Sequence, residues 1–163
     1  MFLYLLRHGI AEEGAWGQPD ASRRLTPEGI EKMHREARGM ARLGLKFTSV
    51  YSSPTKRTLE TAEIVCKTLQ LENIHVEANM VSGAFRLGIL QELTTNAPSQ
   101  AHLLFVGHEP DMSHLVYQLS GAHIAMKKGG FACIETAQAE PQEGILRWLF
   151  SPSHLALLGD TVS

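Results

Sequence analysis

The sequence predicts an α/β fold, a three-layer α/β/α sandwich around a mainly parallel central sheet. Two short apolar runs, residues 2–6 and 103–106, lack helical periodicity, as expected of strands that are buried on both faces. Segments with helical spacing of apolar residues alternate with strand-like runs over most of the length. Such alternation is typical of layered domains with parallel strands. We therefore expect a single domain over residues 1–163.

The first half of the chain contains the clearest helix signals. Thr26 and Pro27 are residue types preferred at an N-cap and at the first helical position, and Gly44 suits the end of the same helix. Ser53 and Pro54 repeat the start signal for a second helix. The apolar faces of these two helices are Ile30, Met33, Ala37, Met40 and Ala41, and Leu59, Ala62, Cys66 and Leu69. The strands of this half are expected at residues 2–6, 47–51 and 74–76.

The second half continues the alternation after an irregular stretch over residues 77–88. A helix is expected from about Leu87 to Ala97, because Pro98 disfavours its continuation. A buried strand over residues 103–106 follows, and then a helix with an apolar stripe at Met112, Leu115, Val116 and Leu119. Two closing strands are expected at residues 131–136 and 145–150.

The composition argues against several classes of protein. Fifteen basic and seventeen acidic residues give a net charge of −2, which provides no strong field to hold nucleic acid or an anionic membrane. No apolar run approaches the roughly 20 residues of a membrane span, and the N-terminus lacks a cleavage-site pattern, so we expect a cytoplasmic protein. A compact chain of near-neutral charge is expected to be a monomer. Cys66 and Cys133 show neither metal-ligand nor disulfide spacing, and we expect both to be buried as small apolar residues.

Chemistry is expected just beyond the carboxyl ends of the strands, where open α/β sheets bind ligands. Arg7 and His8 follow the first strand, Arg57 comes soon after the second, and His108 follows the fourth. In the first turn of a helix a cation such as Arg57 is disfavoured by about 0.3–1 kcal/mol, and no carboxylate lies within the four preceding residues. Either a bound anion or a distant acidic side chain would compensate. Arg7 directly follows five apolar residues and also needs a partner.

A phosphoryl group is an anion that fits these residues. Two guanidinium groups bind phosphoryl oxygens bidentately at short range. A histidine beside them can donate as imidazolium, or it can attack phosphorus when it is neutral and a backbone carbonyl holds its other nitrogen. Gly9 and Gly107 flank the two histidines and allow backbone and substrate to approach closely.

Three motifs in this order resemble the signatures of the histidine phosphatase superfamily. They are the RHG tripeptide at 7–9, the SSPxxRTxxTA run that begins at Ser52, and Gly107-His108 after an apolar strand. In addition, residues 20–29 resemble the D-x-x-R-x-L-T-x-x-G segment of small SixA-type phosphohistidine phosphatases. The likeness extends from Met1 to about Pro152 and implies a phosphoglycerate mutase-like fold.

The resemblance also implies roles for individual residues. His8 would be the nucleophile and become transiently phosphorylated, Arg7 and Arg57 would bind the phosphoryl oxygens, and His108 would donate to those oxygens in the transition state. The implied phosphate-binding set is Arg7, Gly9, Arg23, Arg57 and His108. Arg24 is the alternative to Arg23 if the alignment slips by one residue. No metal or other cofactor is expected.

The sequence departs from the larger branches of the superfamily, which carry an acid after the third strand to protonate the leaving oxygen. Glu77 is expected to belong to the strand, and no further carboxylate occurs before Glu92. General acid catalysis is worth roughly 10²–10⁴ in rate for a poor leaving group, whereas the imidazole of phosphohistidine leaves more readily. The substrate is therefore expected to be phosphohistidine on a protein or peptide, such as a histidine-phosphotransfer domain. Glu109 and Asp111 are alternative acids.

Two other functions stay open, a small-molecule phosphoester phosphatase and a phosphoryl-recognition module without turnover. Trp16 is either a cap over the pocket or an anchor of its loop. Lys127 and Lys128 form either a solvated turn or a rim that meets an acidic protein substrate.

Overall fold

The computed structural model describes residues 1–160, which form six strands and five α-helices. The strands are β1 (Phe2–Arg7), β2 (Ser49–Ser52), β3 (Ile74–Val76), β4 (His102–Gly107), β5 (Phe131–Glu135) and β6 (Ile145–Phe150). The helices are α1 (Pro27–Arg42), α2 (Lys56–Leu69), α3 (Leu87–Thr94), α4 (Asp111–Ser120) and α5 (Pro152–Asp160). Two short 3₁₀ helices, Asp20–Ser22 and Ala78–Met80, lie in connecting segments.

The six strands form one sheet in the order β3-β2-β4-β1-β5-β6. The pairings among β3, β2, β4 and β1 are parallel, whereas β5 pairs antiparallel with both β1 and β6. The predicted α/β fold with a mainly parallel sheet is therefore confirmed. In the central strand β1, Tyr4 and Leu6 pack into one core cluster while Leu3 and Leu5 pack into the other, so both faces are buried.

Helices cover the sheet on both sides. Met33 of α1, Val65 of α2 and Leu155 of α5 belong to one core cluster. Leu90 of α3 and Leu115 of α4 belong to the other. None of the helices within residues 1–160 combines the length and the apolar character that a membrane span requires.

Several local predictions agree with the structure. Thr26 is the N-cap of α1, and its Oγ1 accepts a hydrogen bond from the backbone N–H of Gly29 at 3.0 Å. Cys66 and Cys133 are free and buried, as expected.

Other boundaries differ from the prediction for tertiary reasons. The helix predicted to open at Ser53 begins three residues later. The N–H of Ser53 donates to the carbonyl of Val106, which extends the pairing of β2 with β4 beyond the end of β2. Helix α3 ends at Thr94 instead of Ala97, and β2 begins at Ser49 although Phe47 is buried in the core. Helix α5 has no counterpart among the elements expected from the sequence.

Candidate active site

The carboxyl ends of β1, β2 and β4 meet at one edge of the sheet, where they form a cleft. The register pairs Arg7 with Gly107 and Ser52 with Val106, so the residues after these strands come together. The cleft has a volume of about 330 Å³. Its wall includes Arg7, His8, Asp20, Arg23, Arg57 and His108. All of these except Asp20 were nominated from the sequence.

His8 is held in a defined tautomer. Its side chain is buried, and its Nδ1 lies 2.7 Å from the carbonyl oxygen of Gly9. Since a carbonyl only accepts, Nδ1 carries the proton and donates it, which leaves the lone pair on Nε2. No hydrogen bond to Nε2 occurs within residues 1–160. This is the arrangement that a nucleophilic histidine requires.

The surroundings of His8 keep its ring uncharged. Burial lowers the pKa of His8 from its ordinary value of 6.5 to about 3, although the Gly9 carbonyl opposes the shift. His108, Arg57 and Arg7 lower the pKa further, because positive charge nearby disfavours an imidazolium. At neutral pH the Nε2 lone pair is therefore available.

His108 faces His8 with a ring-centroid distance of 5.3 Å and is also buried. Its Nε2 lies 2.8 Å from Oγ of Ser53, and its Nδ1 lies 3.4 Å from Nη2 of Arg57. Because a guanidinium only donates, Nδ1 is the acceptor and the Nε2–H donates to Ser53. Burial and the charge of Arg57 lower the pKa of His108 to about 4. In this state His108 is neutral and has no N–H directed at the cleft.

Arg7 is fixed at one end and has an unpartnered donor at the other. Its Nη1 donates to the carbonyl of Met126 at 2.7 Å, and the N–H of Met126 donates to Oε1 of Glu109 at 3.1 Å. Its Nε is buried without a hydrogen-bond partner among the described residues. Burial lowers the pKa of Arg7, and the charge of Glu109 opposes the shift. An anion in the cleft would supply the missing acceptor.

Arg57 is buried and paired with Asp20. Nη1 donates to the backbone carbonyl of Asp20 and Nη2 donates to its Oδ2, both at 2.7 Å. The distant acid is therefore present, 37 residues earlier in the chain. The Nε of Arg57 nevertheless stays buried without a partner in residues 1–160, as the Nε of Arg7 does.

Of the two neighbouring arginines, Arg23 lies in the cleft wall and Arg24 does not. Arg23 donates from Nε to the carbonyl of Glu12 at 2.7 Å and from Nη1 to Oδ1 of Asp20 at 2.8 Å. Arg24 instead forms an exposed ion pair with Glu60 at 2.5 Å. The structure thus brings Arg23 to the other cleft residues.

Gly9, expected in the phosphate-binding set, has its backbone amide engaged within the protein. The N–H of Gly9 donates to Oγ1 of Thr61 at 3.1 Å and is not available to a ligand. An added Cβ at Gly9 would lie 2.7 Å from Cγ of Met33, so glycine is needed for the close approach of α1. Gly9 also lines a larger cavity of about 520 Å³ between α1 and α5, together with Lys127 and Lys128.

The candidate acids occupy different positions. Glu109 lies in the cleft wall, where Oγ of Ser113 donates to its Oε1 at 2.5 Å. Asp111 lies outside the wall, and its Oδ2 accepts from the N–H of Gly83 at 2.7 Å. Glu77, expected in the third strand, lies one residue beyond β3 and also outside the wall. The segment after β3 contributes Ser82 to the wall instead of a carboxylate.

The three remaining sequence candidates, Trp16, Lys127 and Lys128, differ in position. The side chain of Trp16 is fully exposed and lies outside the cleft wall, so it neither caps the cleft nor anchors its loop. Lys128 lines the cleft, and its neighbour Lys127 is exposed.

Comparisons with known proteins indicate the family to which this chain belongs. Residues 3–81 match the model of the histidine phosphatase superfamily (branch 1). An uncharacterized protein from Picosynechococcus sp. (strain ATCC 27264 / PCC 7002 / PR-6) is 31% identical over 150 residues, which are 87% of this chain and 89% of that protein. The chain belongs to the histidine phosphatase superfamily.

Solved structures place the chain close to the SixA type within the superfamily. The structure of the protein histidine phosphatase SixA complexed with tungstate has a TM-score of 0.83 and 25% identity, covering 95% of this chain and 99% of that one. A candidate phosphohistidine phosphatase SixA from Agrobacterium tumefaciens has a TM-score of 0.79 and 21% identity, covering 93% and 97%. These matches confirm the phosphoglycerate mutase-like architecture, and together with the family they support a phosphatase.

Proposed function

We propose that this histidine phosphatase hydrolyses phosphohistidine on proteins or peptides through a covalent phosphohistidine at His8. The observation that carries the proposal is a neutral His8 beside two guanidinium groups whose buried Nε–H donors lack partners within residues 1–160. A buried donor without an acceptor costs about 1–3 kcal/mol. Phosphoryl oxygens fit guanidinium donors in geometry and charge, and they would be held beside the free Nε2 of His8.

The first chemical step transfers the phosphoryl group to His8. The lone pair on Nε2 attacks phosphorus, and the P–N bond to the substrate imidazole breaks. The substrate ring leaves with the bonding electron pair and takes a proton from water. His8 keeps its Nδ1 proton, so the phosphorylated ring is positively charged, and its hydrogen bond to the Gly9 carbonyl stabilises that charge.

The second step releases phosphate. Water attacks phosphorus, the P–Nε2 bond breaks, and the proton lost by the water passes to solvent. His8 returns to its neutral form with the proton still on Nδ1. In both steps negative charge is spread over the equatorial oxygens, and the cationic donors of Arg7, Arg23 and Arg57 stabilise it.

His108 gains a donor when the anion binds. A negative charge within about 4–6 Å favours the imidazolium form, so a bound phosphoryl group would raise the pKa of His108 from about 4. The added proton goes to Nδ1, because Nε2 already carries a proton that is hydrogen-bonded to Oγ of Ser53. One N–H of Arg57 Nη2 contacts Nδ1 at a long 3.4 Å and is then free to donate to the ligand, while the other N–H of Nη2 stays on Asp20.

The carboxylates around the cleft favour a phosphoramidate over a phosphoester. Oε1 of Glu109 already accepts hydrogen bonds from Oγ of Ser113 and the N–H of Met126, so it is engaged within the protein and is not directed at a leaving group. Asp111 is engaged by Gly83 outside the cleft wall. An alkoxide would therefore leave without protonation, whereas imidazole leaves readily.

A phosphorylated protein, such as a histidine-phosphotransfer domain, is the proposed partner. Lys128 in the cleft wall and the adjacent Lys127 are exposed, and neither forms an ion pair within the described part of the chain. Two free cations at the edge of the cleft would attract an acidic surface around the phosphohistidine.

The test compares phosphate release from a phosphohistidine peptide and a phosphorylated histidine-phosphotransfer domain with release from sugar, nucleotide and phosphoserine esters. The wild type should prefer the phosphohistidine substrates, and a clear preference for esters would overturn the substrate assignment. His8→Ala should abolish release, whereas the control Arg24→Ala, which alters an exposed arginine outside the cleft wall, should leave it unchanged.

A trapping experiment tests the covalent intermediate separately. Labelled phosphate should remain on the wild type after a quench without acid, and should be absent from His8→Ala. Substrate binding without turnover or labelling would instead identify a phosphoryl-recognition module.

A further inference from the structure

Asp20 connects two of the cationic groups of the cleft. Its Oδ2 accepts from Nη2 of Arg57 at 2.7 Å, and its Oδ1 accepts from Nη1 of Arg23 at 2.8 Å. Its backbone carbonyl accepts from Nη1 of Arg57 at 2.7 Å. One residue thus binds both guanidinium groups, and it binds Arg57 through side chain and backbone together.

This pairing decides which side of Arg57 can meet a ligand. Asp20 engages the edge of the guanidinium formed by Nη1 and Nη2. The Nε–H remains without a partner in residues 1–160, although the Arg57 side chain is only 5% exposed. A phosphoryl oxygen is therefore expected to meet the Nε side, while Asp20 stays on the opposite edge.

A carboxylate that binds two arginines of a phosphoryl-binding site can affect catalysis in two opposite ways. It can position the arginines throughout the reaction. Alternatively, it can compete with the phosphoryl group for the arginines, and it must then release them before the substrate binds. The backbone carbonyl favours positioning, since it cannot leave Arg57 unless the 3₁₀ helix Asp20–Ser22 moves as well. That turn is tied by hydrogen bonds from Ser22 Oγ to the Pro19 carbonyl at 2.8 Å and from the Arg23 N–H to the Asp20 carbonyl at 3.2 Å.

The charge state of Asp20 is consistent with a lasting contact. Hydrogen bonding to Arg57, and secondarily to Arg23, lowers the pKa of the Asp20 carboxyl group. The carboxylate therefore stays ionised at neutral pH, although its side chain is 61% exposed.

We propose that Asp20 is a positioning residue that holds Arg57 and Arg23 as one unit around the phosphoryl group during turnover. This inference rests on the proposed function. It predicts that Asp20 acts through the arginines and not by contact with the substrate.

The kinetic test uses Asp20→Ala, Arg23→Ala and the double variant. Misplacement of positioned groups by about 1 Å can cost up to about 100-fold in rate, and we expect Asp20→Ala to lower kcat/KM on phosphohistidine peptide by about 10- to 100-fold. Because the two side chains act together, the effects should be clearly less than additive in the double variant. Asp20→Asn keeps one of the two side-chain acceptor oxygens and the backbone carbonyl, so it should retain more activity than Asp20→Ala. A rise in kcat/KM for Asp20→Ala would show competition and overturn the proposal, as would additive effects.

Asp160→Ala is the matched control, because Asp160 forms an exposed ion pair with Arg35 and lies outside the cleft. It should leave kcat/KM unchanged. Thermal unfolding of every variant checks that a loss of kcat/KM is not due to loss of the fold. If Asp20→Ala does not fold, Asp20→Asn replaces it in the comparison with the wild type.

Binding of tungstate, a tetrahedral oxyanion, separates this inference from the proposed function because it needs no turnover. Calorimetry should show at least tenfold weaker binding to Asp20→Ala than to the wild type. If the wild type binds tungstate but cleaves no phosphohistidine, the proposed function fails while this comparison still decides the role of Asp20. Equal or tighter binding by Asp20→Ala would overturn that role, and no binding by the wild type would overturn both.

Discussion

Oγ of Ser53 lies 2.8 Å from Nε2 of His108, and both side chains are buried at the cleft. The contact fixes the tautomer of His108, because Arg57 can only donate to the other ring nitrogen. Ser53 therefore determines which nitrogen of His108 can take up a proton when an anion binds. The SSPxxRTxxTA run thus supplies two residues of the site, namely Arg57 and the hydrogen-bond partner of His108.

Ser53→Ala should lower both stability and activity. It leaves the Nε2–H of His108 buried without an acceptor, at a cost of about 1–3 kcal/mol, and it lets the ring adopt the wrong tautomer. Denaturant unfolding and kcat on phosphohistidine peptide measure the two effects. Ser52→Ala is the control, since the equally buried Ser52 hydroxyl donates to a backbone carbonyl at 3.0 Å. An equal loss of kcat in the two variants would contradict the role of Ser53.

His8 should remain neutral well below the pH at which an ordinary histidine titrates. Its pKa is lowered to about 3, mainly by burial, so lowering the pH from 7 to 5 should not protonate the ring. Long-range ¹H–¹⁵N spectra should show a proton on Nδ1 alone throughout this range, and His8→Gln identifies the signal by its loss. A titration midpoint for His8 between pH 6 and 7 would rule out the proposed environment.

The sequence was most informative about the parts of the fold that local patterns specify. The apolar runs of β1 and β4 are buried on both faces and end beside His8 and His108, so their composition indicates both the sheet and the site. Arg7 and Arg57 could be predicted as anion-binding residues, because each lies at a position in the fold where an unpaired cation is unfavourable.

The features that escaped prediction depend on contacts between distant segments. Asp20 and Arg57 are 37 residues apart, and no local pattern connects them. Helix α5 is stabilised by close packing on α1, where a Cβ at Gly39 would lie 2.2 Å from the carbonyl oxygen of Leu155. Gly9 was placed in the phosphate-binding set, and the sequence could not reveal that Thr61 accepts the hydrogen bond of its amide.

Thr61→Val should impair catalysis although Thr61 is absent from the cleft wall. The substitution keeps the shape of the side chain but removes the acceptor for the Gly9 N–H, so the Gly9 carbonyl that orients His8 is less well held. We expect kcat to fall by about tenfold or more, in the range that misplaced groups cost. Thr68→Val on the same helix is the control, because its hydroxyl makes the same type of bond to the carbonyl four residues back. A drop in kcat of the same size for Thr68→Val would argue against this role.

Glu36 is a buried acid in α1 whose Oε2 has no hydrogen-bond partner in the described residues. Burial raises its pKa from 4.5 to about 8, although Lys32 and Arg35 oppose the shift. Between these two pH values the folded protein retains a proton that the unfolded chain has lost. The free energy of unfolding therefore falls as the pH rises through this window, by up to about 1.4 kcal/mol per unit.

Glu36→Gln should remove this loss of stability, since glutamine cannot ionise. His8 and His108, whose folded pKa values are lowered, act in the opposite direction but only below about pH 6.5. Denaturant unfolding between pH 7 and 8 therefore isolates Glu36, and the wild type should lose stability in this range relative to Glu36→Gln. Glu28→Gln, which removes an exposed acid of the same helix, should follow the wild type. Parallel pH profiles for Glu36→Gln and the wild type would mean that Glu36 is ionised in the folded protein throughout this range.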